Sequence, residues 1–173
     1  MEFTQVVRKR AMIRVYQNKD MPQELIDKIL DNARKAPSAG FTQPQEFIII
    51  RNLQQKEKLA SAALGQEQIA AAPVVVAVVC NTQRSASRYA ERGRNFYSII
   101  DGAFSSMLIL LSCVNLGLGA SFVGAFDDET VSEILELPAH VRPIGLIAIG
   151  YPGELPAKYK RFSPEKIVHH EKW

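Results

Sequence analysis

Three groups of residues in this 173-residue chain stand out by type and spacing: two basic clusters that suit an anionic ligand and one constrained polar loop. The first is "RKRAMIR", which clusters Arg8, Lys9, Arg10 and Arg14. The second is the connection "APSAGFTQPQEF", residues 36–47, where prolines restrict the backbone, small residues leave room and Gln43 offers an amide that both donates and accepts. The third is "KYKR", holding Lys158, Lys160 and Arg161. An anion would use cationic donors of this kind, each charge-assisted hydrogen bond contributing about 1.5–3 kcal/mol. Taken singly, each group has a plainer reading: basic clusters are usually solvated surface, and a Pro/Ser/Gly stretch is usually a turn.

Other chemistries lack their residues. No G-x-G-x-x-G follows a strand: Gly117 and Gly119 are followed by Phe122 at the third glycine position, and they precede a strand. Neither a phosphate-binding G-x-x-x-x-G-K-[ST] loop nor a G-x-S-x-G elbow occurs. His169, His170 and Glu171 are consecutive and cannot all face one metal, so no metal site is expected. Cys113 and Cys80 lie in apolar runs where a thiolate would be costly. With no side chain suited to covalent chemistry, either a cofactor carries the reaction or the chain is not an enzyme.

The composition is that of one globular domain, residues 1–173, with 47% hydrophobic and 23% charged residues. A net charge of +3 is too weak to argue for nucleic acid yet suits an anionic ligand. Two cysteines make no disulfide framework, and the first residues show no apolar leader, so a cytoplasmic location is expected. Residues 102–126 carry no charge and are long enough to cross a bilayer. Ser105, Ser106, Ser112 and Asn115 interrupt that run and Gly117 and Gly119 end it. The expectation is a fully buried helix over about 98–115, then a turn and an inner strand, with no membrane span.

The remaining pattern supplies the scaffold. A helix over 3–10 precedes a second one with Asp20 as N-cap and Pro22 in its first turn, stopping near Lys35 because Pro37 cannot continue it. "FIII" at 47–50 reads as a strand, 53–64 as a helix, and "PVVVAVVC" at 73–80 as a strand covered on both faces. "ASFVG" and "PIGLIAIG" give two more strands around the Asp-capped helix in "DDETVSEILEL". This alternation is α/β or α+β. The tail, residues 151–173, retains Tyr151, Tyr159, Phe162, Ile167, Val168 and Trp173, more large apolar groups than a disordered tail keeps, so it should pack on something, a second subunit being the best candidate.

In combination and order, these pieces resemble the FMN-dependent nitroreductase family. "RAMIR", "ARKAPSAG" with its following "QP", "NLGLGASFVGAF", "IGLIAIGYP" and "KIVHHEKW" carry the likeness along nearly the whole chain. The resemblance implies an α+β, three-layer fold: a central mixed, mainly antiparallel sheet flanked by helices, with the C-terminal arm exchanged in a homodimer. It also implies a set of FMN contacts. Arg10, Ala11, Met12 and Arg14 would lie at the flavin phosphate and pyrimidine edge, Arg161 with Lys160 at the phosphate, and Pro37, Ser38, Ala39 and Gln43 in a flavin-edge loop contributed across the subunit boundary. Val123 and Gly124 would bring a backbone N–H to flavin N5. Met12, Phe41 and Gln45 stand where the family has serine, asparagine and an aromatic residue.

The activity so implied is that of an NAD(P)H oxidoreductase passing hydride through flavin N5 to nitroaromatic, quinone or similar acceptors by ping-pong turnover, with no side chain as catalyst. Its alternatives are a non-catalytic flavin-binding protein and a specialised flavin-chemistry enzyme on the same scaffold. Arg84, Arg88 and Arg92 in "RSASRYAERGRNFY" recur every four residues and would form one helical stripe, either solvated surface or a substrate-selecting face. On the second reading Arg88 meets a nicotinamide phosphate and Tyr89 or Phe96 covers the flavin, with Phe41 nearby.

Overall fold

A computed structural model describes residues 1–157 and 159–173; Lys158, from the C-terminal basic cluster, lies outside the described residues. In chain order the elements are α1 (Phe3–Lys9), α2 (Gln23–Ala33), β1 (Gln45–Ile50), α3 (Leu53–Ala62), α4 (Gln68–Ala71), β2 (Val74–Asn81), α5 (Thr82–Arg92), α6 (Ser98–Asn115), β3 (Gly119–Val123), α7 (Asp128–Ile134) and β4 (Val141–Gly150). The strands form one sheet in the order β1-β2-β4-β3 with every neighbouring pair antiparallel. Parallel character is confined to an isolated bridge between Met12 and Ala120, beside β3.

β2 explains the three layers. Its side chains alternate between faces, and both faces are apolar. Val74, Val76 and Val78 pack with Ile26 and Ile29 of α2 and Ile109 and Cys113 of α6. Val75, Ala77 and Val79 pack with Leu59 of α3, Ile69 of α4 and Val131 of α7. Burial of each valine contributes roughly 1.5–3 kcal/mol, so a continuous apolar run rich in valine is what a doubly covered strand requires.

Two expectations need correction. The N-cap of α2 is Pro22, not Asp20. Pro22 already has the extended cap geometry, with φ −58° and ψ 142°, while the Asp20 carboxylate accepts from the Met21 N–H at 2.8 Å and pairs with Arg51 at 3.1 Å. The second concerns α6, which is buried on one face only. Asp101, Gly102, Ser105, Ile109 and Cys113 point inward, whereas Phe104 and Met107 are 46% and 47% exposed. The inward serines do not break the helix because Ser105 and Ser106 donate to the carbonyls of Asp101 and Gly102, one turn back. The apolar run long enough to span a membrane is thus a helix whose inner face packs on α2 and the sheet.

The tail begins in register with the N-terminal segment: Gln17 N–H donates to Tyr151 O at 2.9 Å and Gly153 N–H to Val15 O at 2.8 Å. Beyond that point Leu155, Tyr159, Phe162, Ile167 and Trp173 are exposed in the single chain.

Candidate functional site

One half of the predicted site is built on the free side of β3. Ile13 N–H donates to Ala120 O at 3.0 Å, and the Met12 sulfur accepts from Phe122 N–H at 3.4 Å. Gly119 permits this approach, since a Cβ there would stand 2.7 Å from the Ile13 side chain. The Tyr16 hydroxyl lies within hydrogen-bond distance of the Ile13 carbonyl (2.6 Å), the Ala148 carbonyl (3.0 Å) and the Ser121 hydroxyl (3.1 Å). Burial pushes its pKa well above that of a free phenol. From the tail, the Glu154 carboxylate accepts from the N–H groups of Arg14 (2.6 Å) and Val15 (3.1 Å), which hold its pKa below the usual carboxylate range.

The backbone of Arg14 is therefore fixed from two sides, while its guanidinium and that of Arg10 form no ion pair among the described residues. Gly124, just past β3, is exposed, and a Cβ there would meet only the Phe122 ring. Residues 10–14 thus run beside β3, whose far end carries Val123 and Gly124, and Arg10 and Arg14 hold two cations with no ion pair among the described residues.

The other half is the loop before β1. Ala39–Phe41 is a 3-10 turn in which Gly40 has φ 56°, and Phe41 and Gln43 are also left-handed at φ 58° and 47°. For residues with a Cβ this costs of order 1–3 kcal/mol each and persists only where the surroundings over-determine it. Here they do. Ala39 N–H donates to Asp101 Oδ1 at 3.1 Å and Gln43 N–H to Ser38 Oγ at 2.9 Å. Arg84 Nη1 donates to the Gln43 carbonyl at 2.9 Å, and Arg88 Nη1 to the Gly40 carbonyl at 3.0 Å. Arg84 also pairs with Glu46.

The basic stripe therefore divides by role. Arg84 and Arg88 clamp the loop instead of offering free guanidiniums, and Arg92 lies over the rings of Phe96 and Tyr97 at 4.7 and 5.2 Å. Tyr89 meets Tyr97 edge-on with centroids 5.0 Å apart. α5 is broken at Ala90 (φ 45°, ψ −133°) and runs into a π-turn at Gly93–Tyr97, which brings these rings together.

The halves do not meet within one chain. The loop enters β1, residues 10–16 lie along β3, and these are opposite edges of the sheet, about 14 Å apart by three strand spacings. The loop holding Pro37, Ser38, Ala39, Phe41 and Gln43 meets Arg88 and Tyr89 at Gly40, Phe96 packs on Tyr97, and Lys160 and Arg161 are exposed on the tail. Sequence reasoning missed Tyr16, Glu154 and Asp101. Asp101 had left a readable mark: it is the charge that opens the long uncharged run, at the buried start of an apolar helix.

The nitroreductase family profile matches residues 7–73 and 61–151. The chain belongs to the nitroreductase family. It is therefore an oxidoreductase. A Methanothermobacter thermautotrophicus protein whose name couples NADH dehydrogenase with NAD(P)H nitroreductase is 36% identical over 177 residues, covering 100% of this chain and 88% of its own. The Bacillus subtilis protein named FMN reductase [NAD(P)H] is 29% identical, covering 92% of this chain and 69% of its own. Among solved structures, a nitroreductase family protein from Clostridium difficile 630 superposes with a TM-score of 0.88 at 29% identity, covering all of both chains. For a nitroreductase-family chain the donors present suit a flavin: unpaired guanidiniums for an anionic tail, an amide and a hydroxyl in a rigid loop for ring heteroatoms, and bare main chain at Gly124.

Proposed function

We propose that two copies of this chain hold FMN at their seam and that the pair is an NAD(P)H oxidoreductase acting on nitroaromatic, quinone or similar acceptors. The observation that carries this reading is the division of the site between opposite sheet edges, each half rigid and each incomplete. Closing the site takes a second copy facing the first. The apolar surface for such pairing is available in Phe3 and Val7 of α1, Phe104 and Met107 of α6, and Leu155, Phe162 and Trp173 of the tail, all exposed in the single chain.

In the paired state Arg10 and Arg14 would grip the phosphate and pyrimidine edge, with Lys160 and Arg161 joining from a tail. Two or three charge-assisted hydrogen bonds account for about half of a micromolar affinity, roughly 8 kcal/mol. Gln43 and Ser38 orient the ring edge, and Gly124 lets main chain approach where a Cβ would intrude. Arg14 places positive charge where reduction adds negative charge. Bound there, the flavin supplies two-electron chemistry that no side chain of this protein offers.

The test is spectroscopic. Protein saturated with FMN should bleach on adding NADPH or NADH under nitrogen and regain colour on adding a quinone or nitroaromatic compound, with parallel initial-rate lines. A yellow protein that never bleaches would be a passive flavin binder.

A further inference from the structure

We infer that Asp101 is a positioning residue that sets the flavin-edge loop through the Ala39 N–H. The inference takes its ligand from the FMN reading above, though its geometry stands independently. Asp101 lies in the first turn of α6 and is 2% exposed. Its Oδ1 accepts from Ala39 N–H at 3.1 Å, and its Oδ2 is buried with no partner. Next to it, Gly102 sits over the Cys80 sulfur, where an added Cβ would be 3.0 Å away. Gln45, directly across the sheet from Cys80, also buries an unpartnered Oε1.

A buried carboxylate with an orphaned oxygen is a poor packing choice, and an apolar side chain would remove that orphan while leaving the Ala39 N–H without its acceptor. What Asp101 does that an apolar residue cannot is accept from the backbone at the entrance of the left-handed loop. Burial raises its carboxyl pKa and the Ala39 N–H opposes that rise, as expected for a group held in place by one donor. The loop is therefore fixed at its entrance by α6 and at its exit by Arg84 of α5, so ring-side residues Ser38, Ala39 and Gln43 follow the position of the two helices.

Three variants test this. Asp101→Leu removes the acceptor with a larger side chain, while Asp101→Asn keeps both the volume and an acceptor. Ala39→Pro removes the donor, and Ser38 already has the extended conformation (φ −140°, ψ 150°) that a residue before proline needs. Asp101→Leu should exchange its Ala39 amide at least about tenfold faster in the flavin-free protein and bind FMN about tenfold more weakly. Asp101→Asn should stay within about threefold of the parent on both measures, and Ala39→Pro should weaken FMN as much as Asp101→Leu, with the double variant no worse than either. Unchanged exchange in Asp101→Leu, an Asn variant that fails like Leu, or additive losses in the double variant would overturn the inference. If Asp101→Leu does not fold, Asp101→Asn and Ala39→Pro decide it. Failure of the parent protein to bind FMN would instead remove the cofactor reading, with the exchange measurement still judging the brace.

Discussion

Arg88 seals Gly40 from above: its Nη1 donates to the Gly40 carbonyl at 3.0 Å, and its Cδ stands 2.5 Å from where a Gly40 Cβ would be. Gly40 also has φ +56°. Gly40→Ala is therefore strained by both backbone and neighbour, and should destabilise the protein by about 1–3 kcal/mol in urea unfolding while weakening FMN binding.

The same contact changes what Arg88 should do to nicotinamide selectivity. A free guanidinium at that position would favour NADPH, but one spent on a loop carbonyl shapes the site for both reductants. Arg88→Glu should lower kcat/KM for NADH and NADPH in equal proportion, together with FMN affinity. A loss confined to NADPH in steady-state kinetics would return Arg88 to phosphate recognition.

Neither cysteine should react in the folded protein. Both are free and fully buried, and burial raises the Cys80 pKa to about 12 and that of Cys113 further. Buried and held as thiols, they should give a chromogenic disulfide reagent no signal until denaturant is added, then two thiols per chain.

Glu154 couples acidity to the cation half of the site. Its folded pKa is depressed by the N–H groups of Arg14 and Val15, so its contribution is present above the ordinary carboxylate value, about 4.3, and is lost as pH falls through the folded value. FMN affinity should decline on acidification below that range. Glu154→Gln should bind more weakly at neutral pH and show a shallower decline, measured by flavin fluorescence.

Much of the scaffold was legible because local pattern and tertiary demand agreed. The continuous apolar run of β2 suited a doubly covered strand, and Asp127 caps α7 through the Thr130 N–H as its sequence position suggests. Where two groups could serve one role, pattern alone chose wrongly. Asp20 and Pro22 both suit a helix start, and Arg51, distant in sequence, drew Asp20 away. The candidate site was read as three clusters, and the bracing of the N-terminal segment and the loop was not legible, because the braces come from residues with no local pattern. Asp101 reaches Ala39 across 62 positions and Glu154 reaches Arg14 across 140. The clamp made by Arg84 and Arg88 was hidden for the same reason, since a helical stripe does not say which backbone carbonyls face it.

The claim that each site is shared between two chains is tested most directly by complementation. Arg10→Ala/Arg14→Ala in one chain removes the cations, and Gln43→Ala/Gly40→Ala in another disables the loop. The two are co-expressed with different tags and the mixed dimer is isolated through both. Each parental dimer should bind no FMN, whereas the mixed dimer, with one intact and one doubly altered site, should bind about one FMN per two chains in titration calorimetry. A mixed dimer that binds none, or an unaltered chain that binds FMN as a monomer, would contradict the shared site.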